Sequence, residues 1–180
     1  MKKLILIIIM LSFFTKGNAQ YKQLATDFSF KNIEGGVINL SDFTEKVILV
    51  VNVASRCGFT NQYKDLQELW SKYKDKNLVI IGVPSNNFRQ EPASNKEIKD
   101  FCEATFGIEF LISEKTDVLG DNTHPFFIWA KENYGSGAIP KWNFHKIIIG
   151  KNGKIANTFS SITNPSSNKF ISSIEKELKK

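Results

Sequence analysis

The chain has 180 residues, 42% of them apolar and 12% aromatic, with a formal net charge of +6. That is room for one ordinary domain with its own core. The lysines at Lys64, Lys72, Lys74, Lys76, Lys96 and Lys99 are scattered among acids, without the basic stripe and interleaved aromatics of a nucleic-acid binder, so they read as solvated surface.

The first residues differ from the rest. Met1-Lys2-Lys3 is a short basic start, Leu4 to Phe14 is almost wholly apolar, and Gly17-Asn18-Ala19 places small residues before Gln20. This is the pattern of a secretory signal peptide over residues 1–19, which implies an exported protein, periplasmic or secreted. The apolar core is well short of the roughly 20 residues a spanning helix needs, so no stable membrane span is expected. An uncleaved anchor is the weaker alternative. Gln20, not a cysteine, stands directly after the cut, so a lipid-anchored form is not indicated, and loss of Lys2, Lys3 and Lys16 lowers the charge from +6 to +3.

From Gln20 to Lys180 the sequence reads as a single domain, with no linker, repeat or low-complexity stretch. Phe28-Ser29-Phe30 and Val37-Ile38-Asn39-Leu40, joined through Glu34-Gly35-Gly36, predict a β-hairpin. Val47 to Ala54 is a continuous β-branched run, as expected of a strand buried on both faces. An amphipathic helix over Gln62–Tyr73, with Tyr63, Leu66, Leu69, Trp70 and Tyr73 on one face, and a strand over Leu78–Val83 complete a βαβ unit. Asn95 is expected to cap a helix running to about Phe106, and Pro125 fits the first turn of another carrying Phe126, Phe127 and Trp129.

Phe144 to Ile149 and Lys154 to Phe159 flank Asn152-Gly153, a strong hairpin signal, so the sheet is mixed. A last helix from Ser166 places Phe170, Ile171, Ile174 and Leu178 on one face and offers a Glu175–Lys179 pair. The expected fold class is α/β, a central mixed sheet flanked by helices behind an N-terminal hairpin, which is a thioredoxin-like arrangement.

Cys57 lies in Ser55-Arg56-Cys57-Gly58-Phe59-Thr60, at the turn from the first long strand to the first helix. Unpaired N–H groups and the helix dipole are expected to favour negative charge there, with Arg56 adding to it, and a thiolate is the reactive form. A disulfide oxidoreductase would carry a second cysteine at Thr60, so dithiol exchange is not expected. Peroxide reduction fits a lone thiol, which is oxidised to a sulfenic acid that a second thiol condenses with. Cys102 shares a helical face with Ile98, Phe101 and Phe106, the place of a small buried residue. Export would also make Cys57 and Cys102 candidate disulfide partners.

Three separated segments carry a resemblance: Asn52 to Thr60, Pro84-Ser85-Asn86-Asn87-Phe88-Arg89-Gln90-Glu91-Pro92, and Lys141-Trp142-Asn143-Phe144. Together, in order and spacing, they resemble the glutathione peroxidase family from about Ala25 onward. The resemblance implies thiol-dependent reduction of hydroperoxides, with Cys57 as the peroxidatic thiol where many animal relatives carry selenocysteine. It makes Gln90, Trp142 and Asn143 polar partners of Cys57; two amides and an indole N–H can donate toward sulfur and the peroxide oxygens. It makes Cys102 the resolving thiol of members that use thioredoxin. Because a disulfide needs Cα atoms about 4.4 to 6.8 Å apart, a helical, buried Cys102 would have to unwind to reach Cys57, so the segment after Ala93 is expected to move.

Two departures from the pattern matter. Ser85 stands where the family often has a cysteine, and one residue, Arg89, separates Phe88 from Gln90 where two are usual, which is expected to shift Gln90 relative to Cys57. The resemblance implies no prosthetic cofactor and an external reductant, a thioredoxin-like protein or glutathione. The short connection Tyr134 to Pro140 lacks the insertion of tetrameric relatives, implying a monomer or dimer with a site open to lipid hydroperoxides. No metal site is evident: His124 and His145 are isolated and read as structural. The rival readings are an exported thioredoxin-like thiol-disulfide reductase and a noncatalytic secreted redox or binding module.

Overall fold

The computed structural model describes residues 21–91 and 93–180, so the segment read as a signal peptide lies outside it. Strands β1 (Ser29–Lys31) and β2 (Val37–Asn39) form the antiparallel hairpin, with Phe30 opposite Ile38 and both turned inward. Its turn passes through Gly35 at φ 95° and Gly36 at φ 78°, a region glycine enters without steric cost.

A five-stranded sheet carries the rest of the chain, in the order β5-β4-β3-β6-β7. The central strand β3 (Val47–Val53) runs parallel to β4 (Leu78–Pro84) across helix α1 (Gln62–Tyr73), and β4 runs parallel to the short β5 (Leu111–Ile112). On the other side β6 (Lys146–Ile149) pairs antiparallel with β3, and β7 (Ile155–Phe159) with β6. The sheet is mixed, as the Asn152-Gly153 turn requires.

Both faces are covered. Val47, Leu49, Val51 and Val53 meet α1, α2 (Asn95–Phe106) and α4 (Asn168–Leu178), through Leu66, Ile98, Phe170 and Ile174 among others. Ile48 and Val50 meet the hairpin and α3 (Pro125–Tyr134), through Phe30, Phe126 and Trp129. That explains why β3 is apolar at successive positions rather than at alternate ones.

Several boundaries differ from the sequence pattern. Ser94, not Asn95, caps α2: its hydroxyl accepts the Glu97 N–H at 3.3 Å while Glu97 takes the Ser94 N–H at 2.7 Å, a reciprocal pair that satisfies two end donors. Asn95 is the first helical residue and accepts the Lys115 N–H instead. Strand β6 starts at Lys146, because Phe144 sits at φ 65° and cannot belong to an extended run. The last helix begins at Asn168, since Asn164 binds both the N–H and the hydroxyl of Ser166 in a turn. Glu175 accepts the Tyr73 hydroxyl at 2.5 Å, joining α4 to α1.

Lys146 is fully buried, opposite Val51. Its ammonium donates to Gln62 Oε1 at 2.5 Å and to the Thr163 carbonyl at 2.7 Å, stapling the start of α1 to the loop after β7. Burial lowers its pKa to about 7. In the unfolded chain a lysine holds its proton to roughly pH 10.4, so above about 7 the unfolded state binds more protons and stability rises with pH. Urea unfolding between pH 7 and 8.5 is expected to show a positive slope approaching ~1 kcal/mol per pH unit, which Lys146→Met flattens.

Candidate active site

Directly beyond β3 the chain turns through Ser55-Arg56-Cys57. Thr60, at the position a second cysteine would take in a dithiol motif, closes this turn: its hydroxyl accepts the Cys57 N–H at 3.0 Å and donates to the Ala54 carbonyl at 3.0 Å. The Cys57 sulfur accepts the Phe59 N–H at 3.4 Å. Helix α1 starts only at Gln62. The N–H that reaches the thiol therefore belongs to the turn and not to the helix N-terminus, which corrects the expected placement.

A second loop, Ser85 to Glu91, packs against this turn. The Arg56 N–H donates to the Gln90 carbonyl at 3.1 Å. The shortened stretch closes through Arg89, held at φ 58°, whose N–H returns to the Asn86 carbonyl at 2.8 Å. Ser85, in the place of the absent cysteine, is buried and donates to Asn87 Oδ1, which also accepts the Val118 N–H and so ties the loop to the segment after β5.

A third loop supplies Trp142 and Asn143, and Asn52 of β3 organises it. The Asn52 side chain donates to the Trp142 carbonyl at 3.2 Å and accepts the His145 N–H at 3.0 Å, while its carbonyl accepts the Phe144 N–H at 2.5 Å. Asn143 is fully buried, 3.5 Å from the Asn52 amide, and donates to Gln90 Oε1 at 3.0 Å. Hydrogen bonds thus run without a break from Arg56 through Gln90 and Asn143 to Asn52 and the Trp142 backbone. The Trp142 indole remains 40% exposed, with the Phe88 ring 5.3 Å away.

Cys102 lies outside this chain of bonds. It is buried on α2 in the apolar cluster that also contains Cys57, and both thiols are free. Burial first, and then the nearby Glu91 and Glu103 carboxylates, push its pKa up to about 11. The Tyr63 hydroxyl nearby is buried, lacks a partner in hydrogen-bonding geometry among the described residues, and is itself driven well above the usual tyrosine range, chiefly by burial.

His124 caps α3, accepting the Phe126 N–H, and stacks on Phe30 at 4.4 Å. His145 is buried and its pKa is lowered to about 4 by desolvation and Lys146. Among the described residues no group of three His, Cys, Asp or Glu could hold a metal ion, and no helix is long and apolar enough to cross a membrane.

Asn52, Ser55 and Glu91 lie within the segments that carry the family resemblance, but the bonds they make in this geometry are not legible from the sequence. Glu91 meets its partner Ser55 only because the fold brings together two residues 36 positions apart.

The family model for glutathione peroxidase matches residues 25–131. The chain belongs to the glutathione peroxidase family. It is 44% identical over 146 residues to glutathione peroxidase-like peroxiredoxin 2 of Saccharomyces cerevisiae, covering 78% of this chain and 90% of the relative. It is 38% identical over 169 residues to hydroperoxy fatty acid reductase gpx1 of Synechocystis sp., covering 89% and 99%. Among solved structures, Trgpx in its apo form superposes with a TM-score of 0.70 at 32% identity, over 88% of this chain and 97% of that one. A thiol:disulfide interchange protein DsbE of Chlorobium tepidum shares the thioredoxin-like fold, with a TM-score of 0.62 at 23% identity over 87% and 96%. The protein is a thiol-dependent peroxidase.

Asn52 is the testable centre of this candidate site. Asn52→Ala strands the buried His145 N–H and the Trp142 carbonyl, and is expected to cost about 2–4 kcal/mol in urea unfolding. Peroxide consumption by the folded variant should fall with it, because the loop carrying Trp142 and Asn143 loses its tether.

Proposed function

We propose that this peroxidase reduces hydrogen peroxide and organic or lipid hydroperoxides through Cys57, with Cys102 as resolving thiol and a thioredoxin-like protein as electron donor. The Cys57 thiolate attacks the terminal oxygen of ROOH, the O–O bond breaks, and the alkoxide leaves as ROH after taking a proton. Cys57 is then a sulfenic acid. The Cys102 thiol attacks that sulfur, water is expelled, and a Cys57–Cys102 disulfide forms for a dithiol to reduce. Gln90, Asn143 and the Trp142 indole serve as donors to the thiolate and to the leaving oxygen.

The observation that carries this reading is the hydrogen-bond chain joining Arg56, beside the thiol, to Gln90, Asn143 and the Trp142 loop. It supports neutral amides as the site's donors, which do not compete for the proton as a charged base would. The exposed Trp142 beside Phe88 gives an apolar surface for a bulky hydroperoxide, in keeping with the fatty-acid substrate named for the Synechocystis relative. The word peroxiredoxin in the yeast relative's name and the second free cysteine favour a protein dithiol over glutathione.

Cys102 with a pKa near 11 is a neutral thiol in the core. It becomes a competent nucleophile by leaving the helix, which exposes it to water and returns it toward an ordinary thiol. Unwinding of α2 is therefore part of the cycle. The reading also includes export, monomeric or dimeric assembly, and a single domain from Gln20, supported by the N-terminal pattern and the continuous run of elements that follows.

Stopped-flow mixing of the reduced protein with hydrogen peroxide and a lipid hydroperoxide tests the chemistry. Cys57→Ser should lose at least ~100-fold in rate, and Cys102→Ser should retain the first oxidation while a sulfenic acid accumulates at Cys57. A Cys57→Ser variant at the wild-type rate would overturn the assignment. Export is checked separately by cell fractionation and N-terminal sequencing, with Gln20 expected as the first residue of the mature protein.

A further inference from the structure

Glu91 is fully buried, and among the described residues it makes no salt bridge. Both of its oxygens are used on one residue: Oε2 accepts the Ser55 N–H and Oε1 the Ser55 hydroxyl, each at 2.6 Å. Its own N–H donates to Asn86 Oδ1 at 3.0 Å. With the Arg56 N–H on the Gln90 carbonyl at 3.1 Å, three bonds join residues 55–56 to residues 90–91. Short bonds to a carboxylate are stronger and more directional than neutral ones.

Keeping a carboxylate out of water without a cation opposes folding. Burial accordingly raises the Glu91 pKa, and only the Ser55 bonds and the attraction of Lys115 and Arg56 pull it back. The other titratable neighbours are Tyr63 of α1 and Cys102 of α2, whose ionisation Glu91 disfavours. A residue that costs stability in this way has its reason in the geometry it holds. Ser55 stands two residues before Cys57, and Gln90 immediately precedes Glu91.

We propose that Glu91 is a positioning residue for the peroxidase reaction, clamping the Ser55–Cys57 turn to the Gln90 loop and so setting the alignment of the Cys57 thiol with the Gln90 amide. This rests on Cys57 as the peroxidatic thiol and Gln90 as its donor. A misplacement of about 1 Å between reacting groups can cost on the order of 100-fold in rate. Simple exposure or acidity of the thiol is less demanding of position. Two rates therefore separate alignment from reactivity: oxidation of Cys57 by hydrogen peroxide, and its alkylation by iodoacetamide, followed on the Cys57 peptide by mass spectrometry at one pH.

In Glu91→Ala the ratio of oxidation to alkylation is expected to fall about 10- to 100-fold while circular dichroism stays native. Glu91→Gln should hold the ratio within about threefold of wild type, because its Oε1 can accept the Ser55 N–H and its amide can donate to the Ser55 hydroxyl. A wild-type ratio in folded Glu91→Ala overturns the proposal. An equal fall in Glu91→Gln also overturns it, since the charge and not the clamp would then be at work. Should Glu91→Ala fail to fold, Ser55→Ala removes one of the two bonds and is expected to lower the ratio by about threefold or more; no change there overturns the proposal. Failure of the underlying reading is seen elsewhere, as peroxide consumption that persists in Cys57→Ser.

Discussion

Burial of β3 on both faces is the constraint from which the rest of the molecule follows. Helices α1, α2 and α4 cover one side of the sheet and the hairpin with α3 covers the other, so every side chain of Val47–Val53 is inside. A strand in that position tolerates a polar side chain only if each of its groups is paired. Asn52 meets this condition by binding the backbone of residues 142 and 145. One buried amide thereby turns a packing requirement into the placement of the loop that carries Trp142 and Asn143, at the end of the strand that leads into Cys57.

Several polar groups in and around the candidate site are buried. Glu91, Asn143, His145 and Lys146 are all buried, and each except His145 has its bonding atoms engaged by neutral partners. The desolvation of two unlike charges, Glu91 and Lys146, is opposed by hydrogen bonds and by more distant charges, Lys115 and Arg56 for the one and Asp65 for the other, with no direct ion pair among the described residues. Such bonds hold geometry better than they add stability. What they hold differs: Lys146 fixes the start of α1 against the loop after β7, and Glu91 fixes the turn carrying the thiol.

The two cysteines occupy contrasting settings within one apolar cluster. Cys57 lies on an irregular turn with an N–H directed at its sulfur, whereas Cys102 is within a regular, well-capped helix and has its ionisation suppressed. Neutral and covered, the Cys102 thiol is shielded from oxidants in solvent. The same burial makes any reaction of Cys102 depend on local opening of α2.

The order of elements, the doubly buried strand, the hairpin at Asn152-Gly153 and the thiol at a strand end were legible in the sequence, because hydrophobic periodicity and turn chemistry act over a few residues. Family membership was legible too, through Cys57, Gln90, Trp142 and Asn143 in three separated segments. The short-range pattern was less reliable at boundaries: Ser94 rather than Asn95 caps α2, and the positive φ of Phe144 delays β6. Only the tertiary structure decided that Glu91 and Lys146 are buried, that Asn52 anchors the Trp142 loop, and that Gln90 meets Asn143 despite the missing residue beside Arg89. A polar residue's burial depends on partners 36 to 93 positions away, and nothing in its immediate neighbourhood encodes them.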